Sequence, residues 1–237
     1  MKKLLMLFTC IFVLSAMASC ASNPTGTTAV FDPDTAYAAV LSECYEILSA
    51  PTDNAKYPDE MIGIYEAAMM FGSDAIHTIG YVFRDVNEDT IPELFIGVFD
   101  KSSGAHTKNE IYAAYTHDGS NPVLLFYGWA RNSYALTEEN TFYYYGSGGA
   151  ANSIFGEYVL SEAGEVVCKN VYFTYPQEPD MTEIGYYHST TATTDPSQAE
   201  EWTSTADEFW AVEKALAAKT TVLSGTPLSA YSTANPT

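Results

Sequence analysis

Positive charge is scarce in this sequence. Lysine and arginine together number 10 against 30 aspartates and glutamates, which gives a formal net charge of −20. Nucleic acids and anionic lipid surfaces are bound through basic patches, so this balance argues against both as partners. An acidic surface attracts cations instead, including divalent ones, although solubility alone explains many of these carboxylates. We therefore expect no nucleic-acid partner.

The common catalytic motifs are also missing. No H-E-x-x-H, G-x-S-x-G or C-x-x-C pattern occurs, and the glycine run Gly146–Gly149 lacks the Lys-Ser/Thr ending of a phosphate-binding loop. Carboxylate pairs for glycoside hydrolysis depend on position in space, so the sequence leaves them open. Whether the chain is an enzyme stays uncertain, and a non-enzymatic role is favoured.

Cysteine is rare, with four residues in the chain. Cys10 and Cys20 belong to the N-terminal segment, which leaves Cys44 and Cys168 for the folded domain. Outside the cytoplasm these two could form a disulfide. Cys44 lies on the apolar face of a predicted helix, however, where a buried free thiol is the alternative.

The N-terminal apolar run is too short for a membrane-spanning helix. Lys2 and Lys3 precede an apolar stretch from Leu4 to Leu14, which is well below the ~18 residues that a spanning helix needs. A basic start, a short apolar run and small residues before residue 20 are typical of a signal peptide. We predict that residues 1–19 are a signal peptide and are cleaved.

The cleavage region carries a more specific pattern. Met17-Ala18-Ser19-Cys20 resembles the lipobox of bacterial lipoproteins, although that family usually has leucine where Met17 stands. The resemblance implies lipidation of Cys20 and anchoring to the cell membrane, facing outside the cytoplasm. A plain signal peptide with an incidental cysteine is the alternative. Residues 20–34 are rich in Ser, Thr, Asn and Pro and predict a flexible tether.

Residues 35–223 predict a single α+β domain. Asp34 can cap a helix over residues 35–49, a second helix should begin after Asp59 and end at Gly72, and Ser204–Asp207 fits a capping box for a C-terminal helix. Residues 224–237 predict a flexible tail, with docking of Leu228 and Tyr231 on the domain as the alternative.

Between these helices, short runs of β-forming residues alternate with turn residues. The predicted strands cover about 79–84, 93–99, 110–117, 122–127, 141–145, 154–160 and 165–175. Asp118-Gly119 and the Gly164 turn favour hairpins between consecutive strands. We therefore expect an antiparallel β-meander sheet with the N-terminal helices and the C-terminal helix packed on it.

One segment carries chemistry, at the join of the first two predicted strands. Asp85, Asn87, Asp89 and Glu93 stand at positions 1, 3, 5 and 9 of a D-x-N-x-D-x-x-x-E pattern, and the carbonyl of Ile91 would be a position-7 ligand. Calcium takes six to eight oxygen ligands, which alternate residues of a curled loop can supply. The sequence therefore predicts a calcium site here. The alternative is that these residues only cap their own backbone in a turn.

The segment resembles the calcium loops of FG-GAP-type (integrin-like) repeats. It also resembles a family of uncharacterised surface lipoproteins of Gram-positive gut bacteria, which carry one such loop ahead of a tyrosine-rich β-meander. It departs from an EF-hand, because Ile96 occupies position 12 and a predicted strand follows. Thr90 and Glu88 stand at positions 6 and 4, where relatives have glycine. The resemblance implies a structural calcium ion and carries no known activity.

Aromatic residues suggest one further site. Tyr143, Tyr144 and Tyr145 run into Gly146–Gly149, and exposed tyrosines with Trp129 could stack on sugar rings. The alternative, which we favour, is that alternate tyrosines pack on two faces of a sheet and the glycines form a hairpin or bulge. A binding or scaffolding role, with a polysaccharide or a surface protein as partner, is the leading hypothesis. A glycan hydrolase and a purely structural envelope component are the alternatives.

Overall fold

The strands of this protein form one antiparallel sheet. The computed structural model describes residues 30–50, 57–99, 109–177, 182–202 and 205–231, and every element below belongs to the compact unit Phe31–Thr237. The strands are β1 (Ile79–Arg84), β2 (Glu93–Val98), β3 (Glu110–His117), β4 (Pro122–Tyr127), β5 (Asn132–Leu136), β6 (Phe142–Gly149), β7 (Asn152–Leu160), β8 (Val166–Pro176), β9 (Ile184–Ser189), β10 (Glu200–Glu201) and β11 (Thr226–Pro227).

The spatial order of the strands largely follows the sequence. It runs β10-β9-β8-β7-β6-β5-β3-β2-β1-β11, and β4 pairs with β3 beside this path. All the described pairings are antiparallel. Short loops between consecutive strands favour this arrangement because neighbours in sequence can pair at once. The predicted α+β fold with an antiparallel meander is confirmed.

Sequence prediction located seven of these strands and missed four. β5 carries Asn132 and Ser133 at its start, which are weak strand formers, and β9 contains Gly185, which is also unfavourable in strands. β10 and β11 have two residues each, Glu200–Glu201 and Thr226–Pro227, and acquire strand geometry only by pairing with β9 and β1. Their sequences contain no periodic signal from which a strand could be predicted.

The helices are α1 (Pro33–Ala36), α2 (Ala38–Ser49), α3 (Ile62–Phe71), α4 (Ala75–Thr78) and α5 (Ala206–Ala217). The first predicted helix is therefore two helices separated by Tyr37, and Asp34 lies inside α1 rather than capping it. Pro33 occupies the first turn of α1, where its missing N–H costs nothing. The second helix begins and ends as predicted, after a 3₁₀ turn at Asp59–Met61 and before Gly72, which has φ +56°.

Helix α5 begins with a capping box, one residue later than predicted. The Thr205 hydroxyl accepts from Glu208 N at 3.3 Å, and Glu208 Oε2 accepts from Thr205 N at 2.9 Å. The helix buries Phe209 against Phe155 of β7 and Tyr186 of β9, with ring centroids 4.9 Å apart in both pairs. The predicted packing of a C-terminal helix on the sheet is thus confirmed.

Two apolar cores lie on opposite faces of β1, β2 and β3. Side chains alternate along a strand, so Leu94 and Ile96 face helices α2–α4 while Phe95 faces the other way. On that second face Phe95 packs against Phe142 of β6, at 5.9 Å between ring centroids, and Phe126 joins them at 4.9 Å from Phe142. The second core therefore joins strands β2, β3 and β4 to strands β5, β6 and β7.

The structure corrects the prediction of a loose tail for residues 224–231. Thr226 and Pro227 pair with Tyr81 and Gly80, Leu228 is buried in the helix-side core, and the Tyr231 hydroxyl donates to Ala38 O at 3.1 Å. Burial of Leu228 and strand pairing hold this segment against β1. Residues 232–237 lie outside the described residues. Within the described ranges, no helix is long and apolar enough to cross a membrane.

Candidate functional site

The predicted calcium loop joins β1 to β2 and is folded by its own acidic side chains. The two Asp85 carboxylate oxygens accept from Glu88 N at 2.7 Å and Thr90 N at 3.0 Å. Asp89 Oδ1 accepts from Ile91 N at 2.7 Å. Side chains of this type commonly form such turns by capping nearby backbone N–H groups. Asp85 and Asp89 therefore act as turn-forming residues, whatever else they bind.

The loop backbone is left-handed at the two positions where the calcium loops that the sequence resembles have glycine. Glu88 has φ +63° and Thr90 has φ +76°. A residue with a side chain costs roughly 1–2 kcal/mol in this region, and a β-branched residue such as Thr90 is an outlier there. The loop thus keeps the curled path that the D-x-N-x-D pattern predicts although neither residue is glycine.

Asn87 connects the loop to the turn between β7 and β8. Its Nδ2 donates to Asp89 Oδ2 at 3.0 Å and to Ser161 O, in the turn between β7 and β8, at 2.9 Å. Its Oδ1 is buried and has no hydrogen-bond partner. A buried acceptor without a partner costs about 1–3 kcal/mol, so an oxygen left in this state commonly marks an ion or water position.

Glu93 is the most buried carboxyl group of the loop motif. Its side chain is 0% exposed, and its oxygens accept from Val86 N at 3.0 Å and from the Thr116 hydroxyl at 3.1 Å. Burial raises the pKa of Glu93 to about 7, and the nearby charge of Asp89 adds to this, while the two hydrogen bonds oppose it. Glu93 therefore changes its charge near neutral pH.

Tyr37 ties the helical layer to the same loop. Its hydroxyl donates to Pro92 O at 2.8 Å. Burial raises the pKa of Tyr37, and the charges of Glu93 and Asp89 raise it further, so the phenol stays neutral at physiological pH. Sequence analysis did not find Tyr37, Thr116 or Ser161 as members of this site, since each is remote in sequence and belongs to no motif.

The predicted ligands are close along the loop, but their carboxylates do not form one cluster. Asn87 and Asp89 are hydrogen-bonded to each other, whereas the Asp85 and Glu93 carboxylates are engaged with backbone N–H groups. Among the described residues, no three Asp, Glu, His or Cys side chains form a group that could hold a metal ion. The donor types still fit a hard cation, since all are oxygens, and the Asn87 side-chain oxygen lacks a hydrogen-bond partner.

The cysteine predictions have different outcomes. Cys20 lies outside the described residues. Cys44 and Cys168 are free thiols, so the suggested disulfide is absent. Cys44 is buried in the helix-side core, 4.0 Å from the Met61 sulfur, whereas Cys168 lies on β8 beside Tyr158. The two cysteines belong to different packing environments, and the alternative of a buried thiol holds for Cys44.

The tyrosine-glycine segment packs as the favoured interpretation describes. In β6 the Tyr143 hydroxyl donates to Glu213 of α5 at 2.5 Å, while Tyr144 faces the other way and its hydroxyl lies 2.6 Å from the Asn132 side chain. The register between β6 and β7 shifts between Ser147 and Gly149, which has φ +151°. The tyrosines therefore pack on alternate faces, and the glycines form a bulged hairpin.

Comparison of the chain with protein-family models, with curated proteins and with solved structures gives no match.

Proposed function

We propose that this chain is a lipoprotein displayed on the outer side of the cell membrane, whose β1–β2 loop binds calcium and thereby supports a binding domain. The observation that carries the calcium part is the buried Asn87 Oδ1 without a hydrogen-bond partner. It lies in a loop that also holds Asp85 and Asp89 and that follows a left-handed path at Glu88 and Thr90. A cation bound at Asn87 Oδ1 would supply the missing interaction.

Calcium is the metal that these donors favour. Asp85, Asn87, Asp89, the Ile91 carbonyl and Glu93 offer only oxygen, which suits calcium and not zinc or copper. Magnesium demands near-ideal octahedral geometry and usually keeps several waters. A net charge of −20 also favours a divalent cation at the surface.

The role of the ion would be structural. Asn87 donates to Ser161 in the β7–β8 turn, and Val86 belongs to the second core. Holding the loop in one conformation would therefore hold the first hairpin against β7 and β8. The anchor would be the lipid on Cys20, for which the support is the Met17–Cys20 sequence and the short apolar run before it.

The test is thermal unfolding of the chain from residue 21 onward, with excess calcium and with chelator. A ligand that binds only the folded state stabilises it by about 2.7 kcal/mol at a hundred times its Kd. For a domain of this size that corresponds to a Tm increase of roughly 5–10 °C. We expect this increase in the native chain and its loss in Asp85→Ala and Asp89→Ala.

Two further variants separate ion binding from turn formation. Asp118 also caps a turn, accepting from Ser120 N and Asn121 N at 2.8 and 2.7 Å, so Asp118→Ala loses similar bonds and should keep the calcium response. Asn87→Asp removes the donor to Asp89 and Ser161 but adds a carboxylate, so it should be less stable in chelator and respond more to calcium. A native Tm that is the same in calcium and in chelator would reject the calcium site.

A further inference from the structure

A cleft of about 420 Å³ opens at the end of the sheet away from the loop. It lies on the face of β6, β7 and β8 that continues the second core, because Tyr144 follows Phe142 by two positions along β6. Trp129, Tyr144, Phe173 and Tyr175 line it. Clefts of this volume, with aromatic walls and a few polar groups, are typical of small-molecule sites.

The aromatic wall is held in place before any ligand arrives. Oriented so that both of its amide atoms have partners, the Asn132 side chain accepts from the Trp129 indole N–H and donates to the Tyr144 hydroxyl at 2.6 Å. Two backbone hydrogen bonds, of 2.9 and 2.8 Å, also join Trp129 and Asn132. Groups fixed in this way lose little conformational entropy when a ligand binds.

The polar part of the cleft is uncharged. Of its described lining residues none is acidic or basic, although the chain carries 40 such residues in all, 10 basic and 30 acidic. The lining instead offers amides and hydroxyls, which both donate and accept hydrogen bonds. Asn152 Oδ1 is buried there without a hydrogen-bond partner. A ligand hydroxyl that reaches this amide would supply the missing hydrogen bond.

We propose that this cleft binds a neutral oligosaccharide. The apolar C–H face of a sugar ring packs on flat aromatic surfaces such as Trp129 and Tyr175, and its hydroxyls suit amide and hydroxyl partners. Tyr175 is 40% exposed, so its ring is accessible to a ligand in the cleft. The described lining has no pair of carboxylates of the kind that glycoside hydrolysis uses, so the role inferred is binding.

This site is separate from the calcium loop. Asn152 in the cleft begins strand β7 and Ser161 beside the loop follows its end, so these two residues lie a nine-residue strand apart, roughly 30 Å. The saccharide proposal therefore does not depend on the calcium proposal. The variant Asp85→Ala distinguishes them, because it should lose the calcium response and keep saccharide binding.

The experiment is calorimetric titration of the full chain, purified in a polyoxyethylene detergent so that no sugar headgroup competes. The neutral probes are maltohexaose, cellohexaose, xylohexaose and mannohexaose, each at millimolar concentration. Oligogalacturonate is the charged comparison. We expect at least one neutral hexasaccharide to bind. Tyr175→Ala and Trp129→Phe should weaken that binding, Tyr175→Ala by about tenfold.

Tyr127→Ala is the matched control. Tyr127 is 38% exposed, close to the 40% of Tyr175, and lies on β4 outside the cleft. It should bind the saccharide as the native chain does, and near-ultraviolet circular dichroism checks that each variant is folded. Absence of binding to all four neutral probes overturns the proposal. An equal loss of saccharide affinity in the Tyr127 and Tyr175 variants also overturns it. Binding of the charged oligosaccharide alone would do the same.

Discussion

Replacing Glu93 by glutamine should flatten the pH dependence of stability in the calcium-free protein. The Glu93 carboxyl is 0% exposed, and burial raises its pKa from 4.5 to about 7. Glutamine has the same shape and cannot ionise. Its oxygen can accept from Val86 N while its nitrogen donates to the Thr116 hydroxyl, so both present contacts have a replacement.

The sign of this pH dependence follows from whether the folded or the unfolded chain binds the Glu93 proton more tightly. Below about pH 4.5 Glu93 is protonated in the folded and the unfolded chain, and its contribution to stability is complete. Between pH 4.5 and 7 the unfolded chain releases this proton while the folded chain retains it, so stability falls as pH rises. Above pH 7 the loss is complete. A shift from 4.5 to about 7 corresponds to about 3 kcal/mol, since one pKa unit is about 1.4 kcal/mol.

The assay is thermal or denaturant unfolding of native chain and Glu93→Gln in chelator, from pH 4.5 to 8. The stability of the variant minus that of the native chain should increase by about 3 kcal/mol over this range. In Tm this is roughly 6–12 °C for a domain of this size. Taking the difference removes the contribution of every other titrating group that the two proteins share.

Glu157 provides a control of opposite sign. Burial disfavours its ionised form, but hydrogen bonds from Lys169 and Thr141 outweigh this and the pKa of Glu157 is lowered. Glu157→Gln should therefore be less stable than the native chain at neutral pH, and the deficit should shrink only as the pH falls below about 4.5, so this control is also measured below the range used for Glu93→Gln. A difference for Glu93→Gln that is constant across the pH range would refute the assignment of a protonated, buried Glu93.

Three other changes have defined outcomes. Thr90→Gly should raise the free energy of unfolding by about 1 kcal/mol in chelator, because Thr90 is exposed and left-handed; an unchanged denaturation midpoint would contradict the assigned strain. In the folded mature chain a thiol reagent should label Cys168 and spare Cys44 until the chain is unfolded. The reason is that Cys44 is buried and burial raises its pKa. Labelling of neither thiol in denaturant would indicate a disulfide. Cys20→Ser should move the protein from the membrane fraction to the soluble fraction and remove the lipid mass, and retention in the membrane would exclude anchoring through Cys20.

Local sequence signals predicted a large part of the fold. β1, β3 and β4 have their predicted limits, because alternating β-forming residues between turns specify a strand without help from elsewhere in the chain. Asp118-Gly119 specified its hairpin for the same reason, and Gly119 has φ +90°. β11 could not be found in this way, since Thr226 and Pro227 form a strand only against Tyr81 and Gly80.

For the β1–β2 loop, too, the sequence determined one part of the site and the tertiary structure the other. The spacing of Asp85, Asn87 and Asp89 determined by itself a curled, oxygen-rich turn, because the side chains that form it are within a few residues of one another. Only the tertiary structure decided that Asn87 meets Ser161 and that Glu93 is buried against Thr116. These partners are distant in the chain, and the burial that moves the pKa of Glu93 exists only where sheet and loop pack together.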